Sequence, residues 1–322
     1  MKFITDRLPE NNTKRWWIVI LYNLIFSALL SVISIYVVSE YGLALFFVLP
    51  FISGFFPVWL YTSKSKKMRG SEAIGLGSAS LFFHLLFLFF FAIEGAICII
   101  MALPILLLLT IAGAGIANEI RKHQRINFRN SNKPLMGIIG LFPVLLITDK
   151  YNEPDLTRVT TSIVIDATPE KVWENVVEFP QLSEPDEMLF KAGIAYPINA
   201  KINGNGVGAI RYCNFTTGSF VEPITTWNEP ELLAFRVKEQ PAPMKELSFW
   251  DIDAPHLHDY FVSKKGQFKL TALPNRKTKL EGTTWYYHDI KPAFYWSFWS
   301  EYIVHKIHTR VLKHIKTNAE RK

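Results

Sequence analysis

The stretch WWIVILYNLIFSALLSVISIYVVSEYGLALFFVLPFISGFFPVWLY, Trp16–Tyr61, holds one charged residue, Glu40, in 46 positions. Ala73–Asn118 is a second run of 46, with Glu94 alone. An α-helix rises about 1.5 Å per residue, so about 20 apolar residues cross a hydrocarbon core about 30 Å thick. Each run is too long for one crossing and right for two. The interruptions at Ser39–Gly42 and Glu94–Gly95 are short and polar or turn-forming. The sequence therefore predicts four transmembrane helices, at about 16–38, 43–61, 74–92 and 96–117.

This concentration accounts for the composition of the 322-residue chain, 49% hydrophobic with 25 Phe and 9 Trp. The net charge of +7 is just as unevenly placed. Residues 1–149 carry 13 Lys/Arg against 7 Asp/Glu, and residues 150–322 carry 22 against 21. The basic residues fall before the first span (Lys2, Arg7, Lys14, Arg15), between the second and third (Lys64, Lys66, Lys67, Arg69) and after the fourth (Arg121, Lys122, Arg125, Arg129, Lys133). The other two turns have none. By the positive-inside rule this predicts an inner-membrane protein with both termini cytoplasmic. A cleaved signal peptide is not expected, because the first apolar run is too long and no small-residue cleavage site follows. Two cysteines exclude a disulfide scaffold and a cysteine zinc site. The balanced charge of the second half removes the case for nucleic-acid binding.

Pro134–Ile147 (PLMGIIGLFPVLLI) is apolar but short, and Gly137, Gly140 and Pro143 weaken it as a helix. It reads as an interfacial or re-entrant segment, or a strand docked on the soluble domain, in preference to a fifth span. Within the membrane, Glu94 sits at a turn within reach of the headgroups, and a neutral His84 can bond a neighbouring helix. Gly75/Ala79 and Gly113/Ala117 are small pairs that read as close helix packing. No row of polar residues suggests a pathway.

The organisation expected is a membrane region over 1–133, an apolar linker over 134–149 and a soluble α+β domain over 150–322. In the soluble part, Val159–Ile165 alternates as a strand, and Thr168-Pro169-Glu170 starts a helix whose apolar face holds Val172, Trp173, Val176 and Val177. Strand-like runs follow at 207–215, 218–227, 231–238, 258–261, 266–273 and 278–288, the last two joined by the turn Pro274-Asn275-Arg276-Lys277. A long helix opened by Pro292 closes the chain, with Trp296, Trp299, Ile303, Ile307, Val311 and Ile315 as its apolar stripe.

This order of elements, the entry VIDATPEKVWENVVEFPQL (Val164–Leu182), the hairpin GQFKLTALPNRKTKLEGTTWYYH (Gly266–His288) and the helix with IHTRVLKHIK (Ile307–Lys316) resemble the START-like superfamily. That superfamily, also called SRPBCC, includes polyketide cyclase/dehydrase-like proteins, and the resemblance covers roughly 158–320. It implies a helix-grip fold, a curved antiparallel sheet around the C-terminal helix, with a cavity for lipids or other apolar molecules. It implies no common catalytic motif.

The candidate ligand-binding residues are Arg211, Tyr212, Glu222, Phe235, Trp250, Trp285, Tyr287, Trp296 and Trp299. The aromatics, with Trp227, suit either an apolar pocket or a filled core. Strand alternation puts Phe220, Glu222 and Ile224 on one face. If that face is concave, Glu222 is a buried carboxylate with Arg211 or Tyr212 as partner; if convex, it belongs to an exposed cross-strand pair. For an enzyme acting on a hydrophobic substrate, the acid–base candidates are Glu222, His258 and His288. His256-Leu257-His258-Asp259 matches no strong metal motif, so no metal is assigned and no cofactor is expected. His305 and His308 read as a solvated or membrane-facing helix face, Cys213 as an unactivated thiol, and Gly204–Gly208 as a loop or pocket rim. The expected partners are the lipid bilayer and a hydrophobic small molecule or lipid. The expected function is ligand binding by a membrane-tethered domain, with a cyclase/dehydratase-type enzyme or an interaction scaffold as the other readings.

Overall fold

The computed structural model describes residues 5–38, 41–64, 68–123, 133–150, 154–250, 252 and 254–321. Glu40, Lys2, Lys66, Lys67, Arg125 and Arg129 lie outside the described residues. The chain forms two compact units: Met1–Asn152 with Ser248–Pro255 and Ile290–Pro292, and the remainder of the C-terminal half.

In the first unit, helix α1 (Asn12–Val32) continues as a π-helical segment to Val38, and a π-helical turn (Ala44–Val48) leads into α2 (Leu49–Tyr61). Helices α3 (Gly70–Phe90) and α4 (Ala96–His123) follow. Four helices, at Asn12–Val38, Ala44–Tyr61, Gly70–Phe90 and Ala96–His123, are long and apolar enough to cross a membrane. Pro134–Ile147 is not a strand: it lies in one continuous helix, α5 (Lys133–Lys150), packed against α2 and the turn before it.

Glycine sets the closest helix crossing. A Cβ at Gly113 would stand 2.2 Å from the Phe51 carbonyl oxygen, and one at Gly54 would stand 1.9 Å from that of Thr110. The contact is sealed by the Thr110 hydroxyl, which donates to the Pro50 carbonyl at 3.0 Å. Where lipid supplies no hydrophobic drive between helices, such backbone approach is what packs them. Gly75 does not take part, since nothing lies within 4 Å of its Cβ position; Gly77, against Ala114, does.

A polar row does exist. Asn23, Ser27, Ser31 and Ser34 are all buried along one face of α1 and its extension. His84 of α3 sits against it, Nδ1 3.0 Å from the Ser27 hydroxyl and Nε2 3.2 Å from that of Ser31. Single serines in an apolar helix pass for small residues, and only their shared face makes them a row. Glu94, in the turn after α3, is buried at 8% exposure.

The second unit is a seven-stranded antiparallel sheet in the order β1-β7-β6-β5-β4-β3-β2. Its strands are β1 (Thr157–Ile165), β2 (Pro197–Asn203), β3 (Ile210–Phe215), β4 (Gly218–Asn228), β5 (Leu232–Arg236), β6 (Phe261–Leu273) and β7 (Lys277–His288). Helix α6 (Pro169–Val177) and a short helix α7 (Met188–Lys191) lie between β1 and β2, and α8 (Ala293–Ala319) closes the chain. Thr168 and Pro169 start α6 as expected from sequence, and Val172, Trp173 and Val176 are buried. Register shifts at Ile224/Thr226 and Ser263/Lys265 mark bulges, which bend and coil the strands that carry them. Both α6 and α8 pack on the sheet's inner face, in one core with Leu233, Leu270, Leu280, Val311, Leu312 and Ile315.

Two expectations are corrected here. Residues 258–260 are a turn, not a strand: a 3₁₀ helix (Pro255–Leu257) precedes them and Asp259 has φ +61°. The buried stripe of α8 includes Ser300 and Val304 in place of Trp299 and Ile303. Ser300 is drawn inward by the Tyr286 hydroxyl at 2.8 Å, a polar contact that an apolar count cannot see.

Replacing Gly113 by Leu should lower the thermal midpoint of the detergent-solubilised protein by the equivalent of about 1–3 kcal/mol or more, the range for an overpacked interior. Gly75→Ala, at an open helix face, should leave it unchanged within about 0.5 kcal/mol.

Candidate functional site

Within the second unit, β3–β7 and α8 line a partly open cavity of about 120 Å³. Its wall carries Phe179, Phe215, Phe220, Phe235, Phe261 and Phe268, with Val304, Ile307, Val311 and Leu312 from α8. Gly266 of β6 stands opposite Phe235 of β5, and a Cβ there would meet the Phe235 ring at 2.6 Å, so this glycine makes the room the ring occupies.

Arg211 and Glu222 are direct cross-strand partners on β3 and β4, and both face the cavity. Arg211 is 1% exposed and Glu222 5%. The Arg211 Nη1 donates to Glu222 Oε2 in a short ion-paired hydrogen bond. Nε donates to the Val177 carbonyl at 3.1 Å, at the last residue of α6. That carbonyl has no partner within the helix and sits at the negative end of its dipole, so the guanidinium caps it. The rings of Phe179, Phe235 and Phe268 lie 5.5, 5.6 and 5.6 Å from the guanidinium carbon. These contacts are what make a charge tolerable at such depth, because an unpaired one would cost several kcal/mol. Burial raises the Glu222 carboxyl above its ordinary range, opposed by the adjacent Arg211. Burial also pushes the Cys213 thiol up to about 12, so it stays protonated and is a poor nucleophile.

His308 of α8 is part of the wall, not of a solvated face. Its Nε2 is 2.8 Å from the Thr284 hydroxyl and its Nδ1 3.2 Å from that of Thr161. Burial, with a smaller contribution from His305, lowers its pKa to about 4, which leaves the ring neutral near pH 7.

Of the residues singled out from sequence, Arg211, Glu222 and Phe235 come together on the wall. Tyr212, paired with Val221, points to the exposed side of the sheet. Trp250 is exposed, in the segment that belongs to the helical unit. Trp285 stacks under Lys265 and Tyr287 under Lys264, at 4.7 and 5.0 Å. Trp227 packs edge-on against Trp173 in the core at 5.5 Å. Trp296 is buried and Trp299 half-buried on α8, outside the lining. His288 Nε2 is 3.0 Å from the Ser297 hydroxyl, and His258 is exposed in its turn. The three acid–base candidates thus do not converge: Glu222 alone lines the cavity. Phe179, Phe215, Phe261 and Phe268 are not among the residues the sequence singles out, Phe220 enters there only as sharing the face of Glu222, and His308 only as part of a solvated or membrane-facing face. Their signal was available: Phe215 and Phe220 flank the β3–β4 turn, and Phe261 and Phe268 lie on β6. Tryptophan drew attention instead, although its N–H needs a partner and suits a half-exposed place better than a dry wall.

A curled antiparallel sheet gripping a long C-terminal helix, with a pocket between them, defines a START-like domain. The model of the polyketide cyclase/dehydrase and lipid transport family matches residues 157–320, and the chain belongs to that family. Among solved structures, a protein of Nitrosospira multiformis is 20% identical, with a TM-score of 0.34, over 50% of this chain and 94% of its own. Norcoclaurine synthase of Thalictrum flavum is 10% identical, TM-score 0.33, over 52% and 96%. An aromatase/cyclase of a Streptomyces species is 13% identical, TM-score 0.33, over 52% and 95%. No curated protein matches the chain.

His308 gives the domain an acid sensitivity of defined sign. Its folded pKa is lowered to about 4 against an ordinary 6.5, so between these values the unfolded chain binds the proton and the folded one does not. Stability is therefore intact at pH 7 and falls as pH drops through this window, by up to about 3 kcal/mol at its lower end. Melting curves from pH 7 to pH 4 should show this loss in the native protein and a shallower one in His308→Gln.

Proposed function

We propose that this protein is a membrane-anchored binder of an uncharged hydrophobic molecule, held in the C-terminal cavity. One observation carries the reading: a phenylalanine wall surrounds the charge-neutral Arg211–Glu222 pair. Small-molecule sites are mostly apolar, with a few polar groups that fix orientation. The wall supplies the first requirement and the pair the second, as donor or acceptor to a hydroxyl or carbonyl. A cavity of about 120 Å³ suits a single ring or a short stretch of acyl or isoprenoid chain, given that engineered apolar cavities of about 150 Å³ take up benzene. A lipid would enter by one chain, not whole, and the family's description names lipid transport. Anchoring keeps the domain beside the bilayer in which such a ligand dissolves, raising its effective concentration. The basic residues at the ends of the helices support a cytoplasmic N-terminus in an inner membrane.

The test uses the full chain in detergent. Native mass spectrometry should find co-purifying apolar molecules, and toluene or p-cresol should bind above a detergent-only blank. Val304→Phe fills the cavity from α8 and should weaken binding at least tenfold while circular dichroism and melting stay near native. Absence of any bound molecule together with no probe binding would overturn the reading.

A further inference from the structure

The helical unit has two distinguishable ends. At one, Lys64 pairs with Glu10 at 3.1 Å, Arg121 donates to the Trp59 carbonyl at 3.1 Å, and Asn118 donates to that of Met68 at 3.4 Å. This basic end gathers the start of α1, the end of α2, the start of α3 and the end of α4. The other end holds the turn at Tyr41 and the turn after Phe90.

The two C-terminal segments that belong to this unit attach at that second end. The Lys291 N–H donates to the Tyr41 carbonyl at 2.9 Å, and the Phe249 ring packs edge-on against Phe89 at 5.9 Å. Four crossings, however, return the chain to the basic end at His123. To reach Ser248–Pro255 and Ile290–Pro292 it must cross once more, and α5 is the one helix described between His123 and the start of the second unit.

We infer that α5 is a fifth membrane span and that the C-terminal domain, with its cavity, faces the side opposite the N-terminus. The surface of α5 fits this. Leu135, Phe142 and Leu146 are buried against the bundle, while Met136, Leu141, Val144 and Ile147 are exposed. A helix apolar on both faces belongs in lipid, not at an aqueous interface. Its 18 residues span about 27 Å at 1.5 Å each, close to the hydrocarbon thickness. Pro134–Thr148 carries no charge, and Lys133 and Lys150 bracket it only one or two positions out. The basic residues agree as well: Arg121 and Lys122 end α4, Arg125 and Arg129 follow it and Lys133 starts α5, five in all, and Lys150 is the only one from there to Arg158. Long domains translocate largely regardless of their charge, so the balanced C-terminal domain does not count against the crossing. This replaces the cytoplasmic C-terminus expected from four spans. Where the ligand reading also holds, the ligand reaches the cavity from the extracytoplasmic compartment or the leaflet that borders it.

Sidedness can be read without any ligand, so its failure and that of the ligand reading are distinct. The full chain is expressed in a bacterial inner membrane, fused at its C-terminus to alkaline phosphatase or to green fluorescent protein. The phosphatase fusion should be active and the fluorescent one dark, and deletion of residues 133–150 should reverse both. In intact cells, a membrane-impermeant maleimide should label Lys313→Cys, whereas Glu72→Cys should need permeabilisation. A bright fluorescent fusion with an inactive phosphatase, or Lys313→Cys labelled only after permeabilisation, would overturn the inference.

Discussion

The buried ion pair between Arg211 and Glu222 is the contact on which the C-terminal domain turns. It crosses β3 to β4, and through Val177 it ties the end of α6 to the sheet. It also stands among the aromatic rings of Phe179, Phe235 and Phe268. Such a pair brings little net stability, because desolvating two charges cancels most of their attraction, yet removing one partner typically costs about 3–5 kcal/mol. Its effect is on specificity. An interior of six phenylalanines with no charge would accept any apolar group of the right size. With a compensated charge pair in the wall, the same interior prefers a neutral molecule that carries a hydrogen-bonding group, since a second ion would leave an unbalanced charge in a low dielectric.

In the membrane half the governing constraint is different. Hydrocarbon offers a backbone no hydrogen bonds, which favours helices there, and the four helices long and apolar enough to cross meet through small residues and buried hydroxyls. Gly54 and Gly113 let α2 and α4 touch backbone to backbone, and Ser27 and Ser31 satisfy both nitrogens of His84. Helix α5, between the halves, is apolar both on the face buried by Leu135, Phe142 and Leu146 and on the face that exposes Met136, Leu141, Val144 and Ile147.

Much of this was legible in the sequence, where a simple period or a composition shift carried it. The two long apolar runs, the strand-to-helix entry at Thr168-Pro169, the β6–β7 hairpin and the closing helix all declare themselves locally. What escaped depended on direction in space. β2 lacks a clean alternation, and its burial is set by its neighbour β3 and by α6. Glu222 was placed on the right face by strand alternation, but nothing local says whether that face is concave. His308 looked solvated beside Lys306 and Arg310, and only the curl of the sheet brings Thr161 and Thr284 to its two nitrogens. The segment after Pro134 was judged by its length and its glycines, while its role follows from which end of the bundle the later chain returns to.

The charge-compensated cavity is tested most directly by comparing three probes of one ring and similar volume, neutral p-cresol, anionic benzoate and cationic benzylammonium. Their affinities for the full chain in detergent would be measured at pH 7 against a detergent blank. A cavity whose buried ion pair compensates itself should bind p-cresol at least tenfold more tightly than either ion, with exposed Lys265 at the lining too weakly placed to reverse that order. Benzoate or benzylammonium binding as tightly as p-cresol would contradict it.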